Sequence, residues 1–240
     1  MMNIDTIFFD AYGTLIDVRD YFHGLPVQVL KDIECDLDPH QFMEVWNEEF
    51  TNTMFDVIEE KRPFLNIRAI YGISLKDALL KHSIPVSDVR LDGLNMLCKQ
   101  LLDEKCVISP SARNVIKTLK DDGMKMGIIS NGDCGELLQH LGDVAKLFDD
   151  IIISENLGVY KPDHRIFKFA LERLKTRPEN ALFVGDNIKI DIAGANNAGI
   201  YSIWYNKNGE QPEDGIKPHF TITGINEVLD IMKLMSPVPR

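Results

Sequence analysis

The chain has 240 residues, 45% of them hydrophobic, enough to bury one large core or a core with a smaller companion. Its 37 acidic residues against 26 basic ones give a net charge of -11, and no basic run points to nucleic acid, so a partner presenting a phosphate backbone is not expected. No apolar run approaches the ~20 residues that span a bilayer. The start Met1-Met2-Asn3-Ile4-Asp5 lacks the basic stretch and cleavage site of a signal peptide. Cys35, Cys98, Cys106 and Cys134 are widely spread, form no CxxC pair and read as reduced thiols. The expectation is a cytoplasmic protein with no membrane partner.

Residues 4–10 read as a fully buried strand. From about Tyr21 to Leu102 the pattern is helical, with apolar residues at Phe42, Val45, Trp46 and Phe50 and again at Leu75, Leu79 and Leu80. Asp38-Pro39 and Ser87 are helix starts, and no strand signal interrupts this stretch, which reads as an all-helical insert. Alternation follows. Helices are expected at 110–120, 133–141, 163–174, 188–198 and 225–235, with Gly123 suited to follow the first. Strands are expected at 124–129, 148–153, 181–185, 201–205 and 220–223, and the tail 236–240 is expected to be disordered. Such alternation means an α/β fold with a doubly wound, mostly parallel sheet.

Four segments carry chemistry. In Ile7-Phe8-Phe9-Asp10-Ala11-Tyr12-Gly13-Thr14 an apolar strand runs into a carboxylate and a Gly-Thr turn. Alone it is equally an ordinary Asp-rich turn. In Gly127-Ile128-Ile129-Ser130-Asn131-Gly132 a second strand ends in a hydroxyl and a turn whose amides can meet an anion, although Ser130 also reads as a helix N-cap. In Tyr160-Lys161-Pro162-Asp163 the proline holds Lys161 extended just before a helix, where a lone lysine is more commonly a surface residue. In Val184-Gly185-Asp186-Asn187-Ile188-Lys189-Ile190-Asp191 two carboxylates flank a strand-to-helix turn. Hard oxygen ligands grouped in this way suit Mg2+, while Asp191 also reads as a complement to the helix dipole.

Strands of a parallel sheet end on one edge, so all four segments line one crevice. That collection suits covalent catalysis by a carboxylate: Asp10 attacks, Ser130 and Lys161 stabilise the anionic group, and water hydrolyses the aspartyl ester. Attack on phosphorus meets anion–anion repulsion that Mg2+ relieves, whereas attack on carbon with a halide leaving needs no metal.

These segments, in this order, resemble the haloacid dehalogenase-like hydrolase superfamily over about residues 4–235, and the helical insert resembles the cap of its cap-after-motif-one branch. The resemblance implies a Rossmann-like catalytic core at 1–16 and 104–240 and a helical cap at 17–103. It implies Asp10 as nucleophile, Ser130 and Lys161 as the further catalytic residues, and Tyr12, Asn131 and Gly132 at the substrate. Asp10, Asp186, Asp191 and the Tyr12 backbone carbonyl would hold Mg2+.

One position departs from the phosphatase pattern. Phosphatases of this group carry a second Asp two residues after the nucleophile as general acid, and here that residue is Tyr12, as in L-2-haloacid dehalogenases. A phenol with an unperturbed pKa near ~10 is a poor acid for an alkoxide, and general acid catalysis commonly contributes about 10²–10⁴-fold. Those dehalogenases, in turn, carry a Ser in place of the first motif-four acid and a cap arginine in a Trp-Arg pair. This chain has Asp186, Asp191 and Trp46-Asn47, with Arg62 and Arg68 outside that pattern and Asn187 near the dehalogenase Asn. Motif four weighs more, because three clustered acids repel without a cation. The expected activity is Mg2+-dependent hydrolysis of a small phosphorylated molecule, with 2-haloacid hydrolysis and a low-turnover binding module as alternatives. His164, His23, His40 and Glu48 are candidates for the missing acid, each also reading as a solvated side chain. Monomer and homodimer are both open.

Overall fold

The computed structural model describes residues 4–212 and 215–235, so the expectation for the 236–240 tail lies outside them. The chain divides into two compact units: one runs to Asp17 and resumes at Ile108, and the other spans Val18–Val107.

The first unit is built on strands β1 (Thr6–Phe9), β4 (Lys125–Ser130), β5 (Asp150–Ile153), β6 (Ala181–Gly185), β7 (Tyr201–Tyr205) and β8 (Phe220–Ile222). They form one six-stranded sheet in the order β5-β4-β1-β6-β7-β8. Every pairing is parallel. All four residues of β1 are buried, the pattern of a central parallel strand covered on both faces. Register places Phe9 opposite Ile128 of β4 and Val184 of β6. The next residues along all three strands therefore emerge side by side. The chain passes from β1 to β4 on one side and returns to β6 on the other, so this edge is also the point where strand order reverses.

Helices cover both faces. Phe8, Ile129, Phe167, Ala170, Phe183 and Ala195 join in one cluster beneath α8 (His164–Leu174) and α9 (Ala193–Asn197). Phe167 meets Phe183 edge-on at 5.4 Å. The close approach of Phe8 leaves no space at Gly127, where a Cβ would fall 2.7 Å from the Phe8 ring. Helix α5 (Pro110–Asp121) packs on β4, and α10 (Glu227–Met235) packs on α5. Ser109 caps α5 by accepting from the Ala112 amide at 3.1 Å, with Pro110 opening the helix and Gly123 at φ +75° after it. The remaining helices of this unit are α6 (Cys134–Leu141) and the single turn α7 (Ser154–Leu157).

The second unit carries α1 (Arg19–Asp32), α2 (Pro39–Ile58), α3 (Ile67–Lys81) and α4 (Asp88–Lys105). Asp38 and Ser87 cap α2 and α4 as their sequence positions suggest. Phe42 and Trp46 stack at 5.7 Å, and the buried Trp46 Nε1 donates to Ser74 Oγ at 3.1 Å. Leu75 and Leu79 are fully buried, but Leu80 is 54% exposed, since neighbours on a helix face in different directions. Short strands β2 (Ile16–Asp17) and β3 (Val107–Ile108) occur where the chain leaves the first unit and comes back to it.

The helix expected at 188–198 is present at 188–197, but it opens as a wide π turn at Ile188–Ile192 before α9 begins. The Ile192 amide reaches back to Asn187 O at 3.2 Å, and the Asp191 carboxylate accepts from the Asn187 amide at 3.0 Å. The Asp191 carboxylate packs against Gly185, where a Cβ would lie 2.5 Å from it. All four cysteines are free, and burial pushes the Cys98 thiol up to about 12. Among the described residues no helix is long and apolar enough to cross a membrane.

Phe8→Ala removes a fully buried ring from the central strand, whereas Val89→Ala trims a side chain that is 85% exposed. Denaturant unfolding is expected to show a loss of about 3–5 kcal/mol for the first and under about 0.5 kcal/mol for the second. Equal losses would contradict the assignment of the core.

Candidate active site

The β1 tip is fixed by the Asp10 amide, which donates to Val184 O at 2.8 Å. This sets Asp10 directly above the gap between β1 and β6, 7% exposed. The backbone then turns sharply. Gly13 holds φ +91°, and its Cα presses against the Asp186 carboxylate so closely that a Cβ would fall 2.2 Å from Oδ2. Only glycine fits both demands. Trp204 Nε1 donates to the Asp186 carbonyl at 2.9 Å, and Thr14 Oγ1 reaches its carboxylate at 3.5 Å.

Lys161 comes from the loop before α8, where its peptide to Pro162 is cis. It is not a surface lysine: the side chain is 1% exposed. Asn131, at the β4 tip, clamps its backbone from both sides, accepting from the Lys161 amide at 2.8 Å and donating to the Lys161 carbonyl at 3.0 Å. The ammonium donates to Asp10 Oδ1 and to Asp191 Oδ1, both at 2.7 Å. The Asn131 side chain thus positions Lys161. The Gly132 amide donates to Ser154 Oγ at 3.1 Å, which braces the same turn.

Ser130 is the last residue of β4 and fully buried, and its Oγ has no hydrogen-bond partner. It is therefore not the N-cap of the following helix: α6 starts at Cys134, with Asp133 in the cap position. Asp10 Oδ2 is likewise buried and without a partner. Two orphaned oxygens in one site cost stability unless something else meets them.

The carboxylates of Asp10, Asp186 and Asp191 bring ligand atoms within 4.8 Å of one another. Burial, reinforced by Asp10 and Asp191, pushes Asp186 up to about 8. Burial also raises Asp191, to about 6, against the pull of Lys161. Burial opposes the charge on Lys161, but Asp10 and Asp191 outweigh it and hold its pKa above the ordinary lysine value. One bonded ammonium among three acids leaves surplus negative charge. A donor set of three clustered carboxylates, all hard oxygen ligands, fits a hard divalent cation such as Mg2+.

Tyr12 turns its phenol away from these groups to share a 2.9 Å hydrogen bond with His140 Nδ1 of α6, the rings meeting edge-on at 5.8 Å. Its ring edge lies beside Gly132, where a Cβ would fall 3.4 Å from it. His140 escaped the sequence reading because nothing in a helix of ordinary composition marks it. Lys207 was also missed, although it follows β7 as Lys161 follows β5: its ammonium donates to the Gly13 carbonyl. Of the residues considered as replacement acids, His164 is exposed on α8 beside Asp163. In the helical unit His23 is exposed, His40 pairs with Glu44, and Glu48 lies near Lys81.

A family model described as haloacid dehalogenase-like hydrolase matches residues 4–199. The chain is 28% identical over 235 residues to the pyrimidine 5'-nucleotidase YjjG of Escherichia coli, covering 96% of this chain and 99% of that one. It is 27% identical over 218 residues to the (S)-2-haloacid dehalogenase 4A of Burkholderia cepacia, covering 88% and 86%. The fold matches that of the HAD-hydrolase YfnB from Bacillus subtilis, solved bound to magnesium, with a TM-score of 0.81, 20% identity and coverage of 96% and 99%.

A carboxylate whose pKa is raised on folding makes the folded state bind more protons, so its contribution to stability falls as pH rises between the unfolded and folded values. For Asp186 that window runs from the ordinary carboxylate value of 3.8 to about 8. Without divalent cations, the parent protein is expected to lose stability relative to Asp186→Asn as pH is raised across this range. Melting curves that run parallel for the two proteins would contradict the burial of charge described above.

Proposed function

Because the chain belongs to the haloacid dehalogenase-like hydrolase family, we propose that it is a Mg2+-dependent hydrolase of a small phosphorylated metabolite, acting through an aspartyl-phosphate on Asp10. In this reading residues 1–16 and 104–240 are the catalytic core and 17–103 its helical cap. The observation that carries it is the set of three carboxylates with ligand atoms within 4.8 Å of one another, of which Lys161 bonds only Asp10 and Asp191. Attack on carbon with departure of halide would call for no further cation beside Asp186.

The residues divide the work by their bonds. Lys161 holds Asp10 Oδ1, so Oδ2, which has no partner, is the oxygen left to attack phosphorus. As the Oδ2–phosphorus bond forms, the bond to the leaving oxygen breaks, and that oxygen takes its proton from solvent water, the Tyr12 phenol being a poor acid. Ser130 Oγ, buried without a partner at the neighbouring strand tip, would donate to a phosphoryl oxygen. Water then attacks phosphorus, releases phosphate and returns Asp10 as a carboxylate. Asp10, Asp186, Asp191 and the Tyr12 carbonyl would hold Mg2+, which supplies charge neutralisation between nucleophile and phosphate. Asp191, already bonded to Lys161 and to the Asn187 amide, would serve mainly by fixing these partners.

A specific feature favours 2-haloacid hydrolysis as the second reading. Tyr12 occupies the position of the phosphatase acid, its phenol is held by His140, and a haloacid dehalogenase is among the relatives. On carbon the same Asp10 oxygen would displace halide and form an ester.

A panel of small phosphoesters and 2-haloacids, run with Mg2+ and with EDTA, separates the two. Phosphate release that stops in EDTA is expected, with Asp10→Asn at least about 10³-fold slower, in line with loss of the covalent nucleophile. Halide release undiminished by EDTA, with no phosphate released, would replace this reading by the second.

A further inference from the structure

A second ammonium belongs to the site. The turn Asn206-Lys207-Asn208-Gly209 leaves β7 at the same sheet edge and is tied down before Lys207 departs from it. Asn206 donates from its amide to Ile222 O at 2.8 Å. Its side chain donates to Glu210 O and accepts from the Glu210 amide, both at 2.9 Å. From this anchored base the Lys207 side chain crosses the face of Tyr205, with Nζ 4.7 Å from the ring centroid, and donates to the Gly13 carbonyl. Gly13 is the residue against which the Asp186 carboxylate packs, within a distance that excludes any Cβ. Lys207 and Asp186 therefore meet at the same turn.

We propose that Lys207 is the built-in counter-ion of Asp186, compensating this carboxylate when no divalent ion is bound and thereby weakening the binding of Mg2+. The charges support the assignment. Lys161 is bonded to Asp10 and Asp191, which leaves Lys207 as the ammonium at the turn against which Asp186 packs, so the metal-free site holds less uncompensated charge. A cation entering beside Asp186 meets Lys207 as a like charge, and a unit charge a few ångströms away in a partly buried site changes affinity by about tenfold or more. Lys207 touches no reacting atom in this account; it is a positioning residue that sets the charge of the site. The inference rests on the reading of the three acids as a cation site.

The test uses the full chain with Lys207→Met, Lys207→Gln and Lys207→Arg, titrated calorimetrically with MgCl2 alone. The Met and Gln variants are expected to bind Mg2+ about tenfold tighter than the parent, and the Arg variant to match the parent. Melting in EDTA gives an independent reading: the fall in Tm caused by Lys207→Met is expected to shrink by more than half when Asp186→Asn is also present. Mg2+ affinity that is unchanged or weaker in both neutral variants overturns the proposal, as do strictly additive losses in the melting cycle. If the parent binds no Mg2+ at all, the cation-site reading falls, and the melting cycle alone decides whether Lys207 is paired with Asp186.

Discussion

The buried ammonium of Lys161, bonded at 2.7 Å to Asp10 and at 2.7 Å to Asp191, is the interaction on which the arrangement depends. A lysine that is 1% exposed stays charged only because these carboxylates outweigh the cost of its burial, and they tolerate their own burial in part because of it. The surrounding structure serves this contact. Asn131 clamps the Lys161 backbone, the π turn carries Asp191, and Gly185 gives it space. Each device sits at a strand tip, and parallel strand order brings the tips together.

Lys161 satisfies one oxygen of Asp10 and leaves the other alone. That asymmetry distinguishes a reactive carboxylate from a structural ion pair, in which both oxygens find donors. Asp186 contributes the opposite: a carboxyl with little to bond, pushed up by burial and by its acidic neighbours. A group in that state is stabilised by any cation that reaches it. This makes a divalent ion and an internal lysine competing answers to one electrostatic problem.

Much of this was legible in the sequence, because apolar runs ending in a chemically active residue are strong signals and alternating helices force their strands to be parallel. Asp10, Ser130 and Asp186 were readable as neighbours from strand position alone. Ser130 was ambiguous between a strand end and a helix cap, and only the helix start at Cys134 decides it. What the side chains bond to was not legible. The Tyr12–His140 pair joins residues 128 positions apart, and the Lys207–Gly13 contact joins residues 194 apart. The widened turn at Ile188–Ile192 looks like plain helix in the sequence, because helical periodicity in a short apolar stretch does not separate a π turn from an α turn.

The most direct measurement is chemical trapping at Asp10. The protein would be mixed with a hydrolysed phosphoester and Mg2+, quenched during turnover and treated with borohydride, which reduces an aspartyl-phosphate to homoserine. Peptide mass spectrometry is expected to find homoserine at position 10, dependent on substrate. Active turnover that leaves Asp10 unreduced, with no other site modified, would contradict the account.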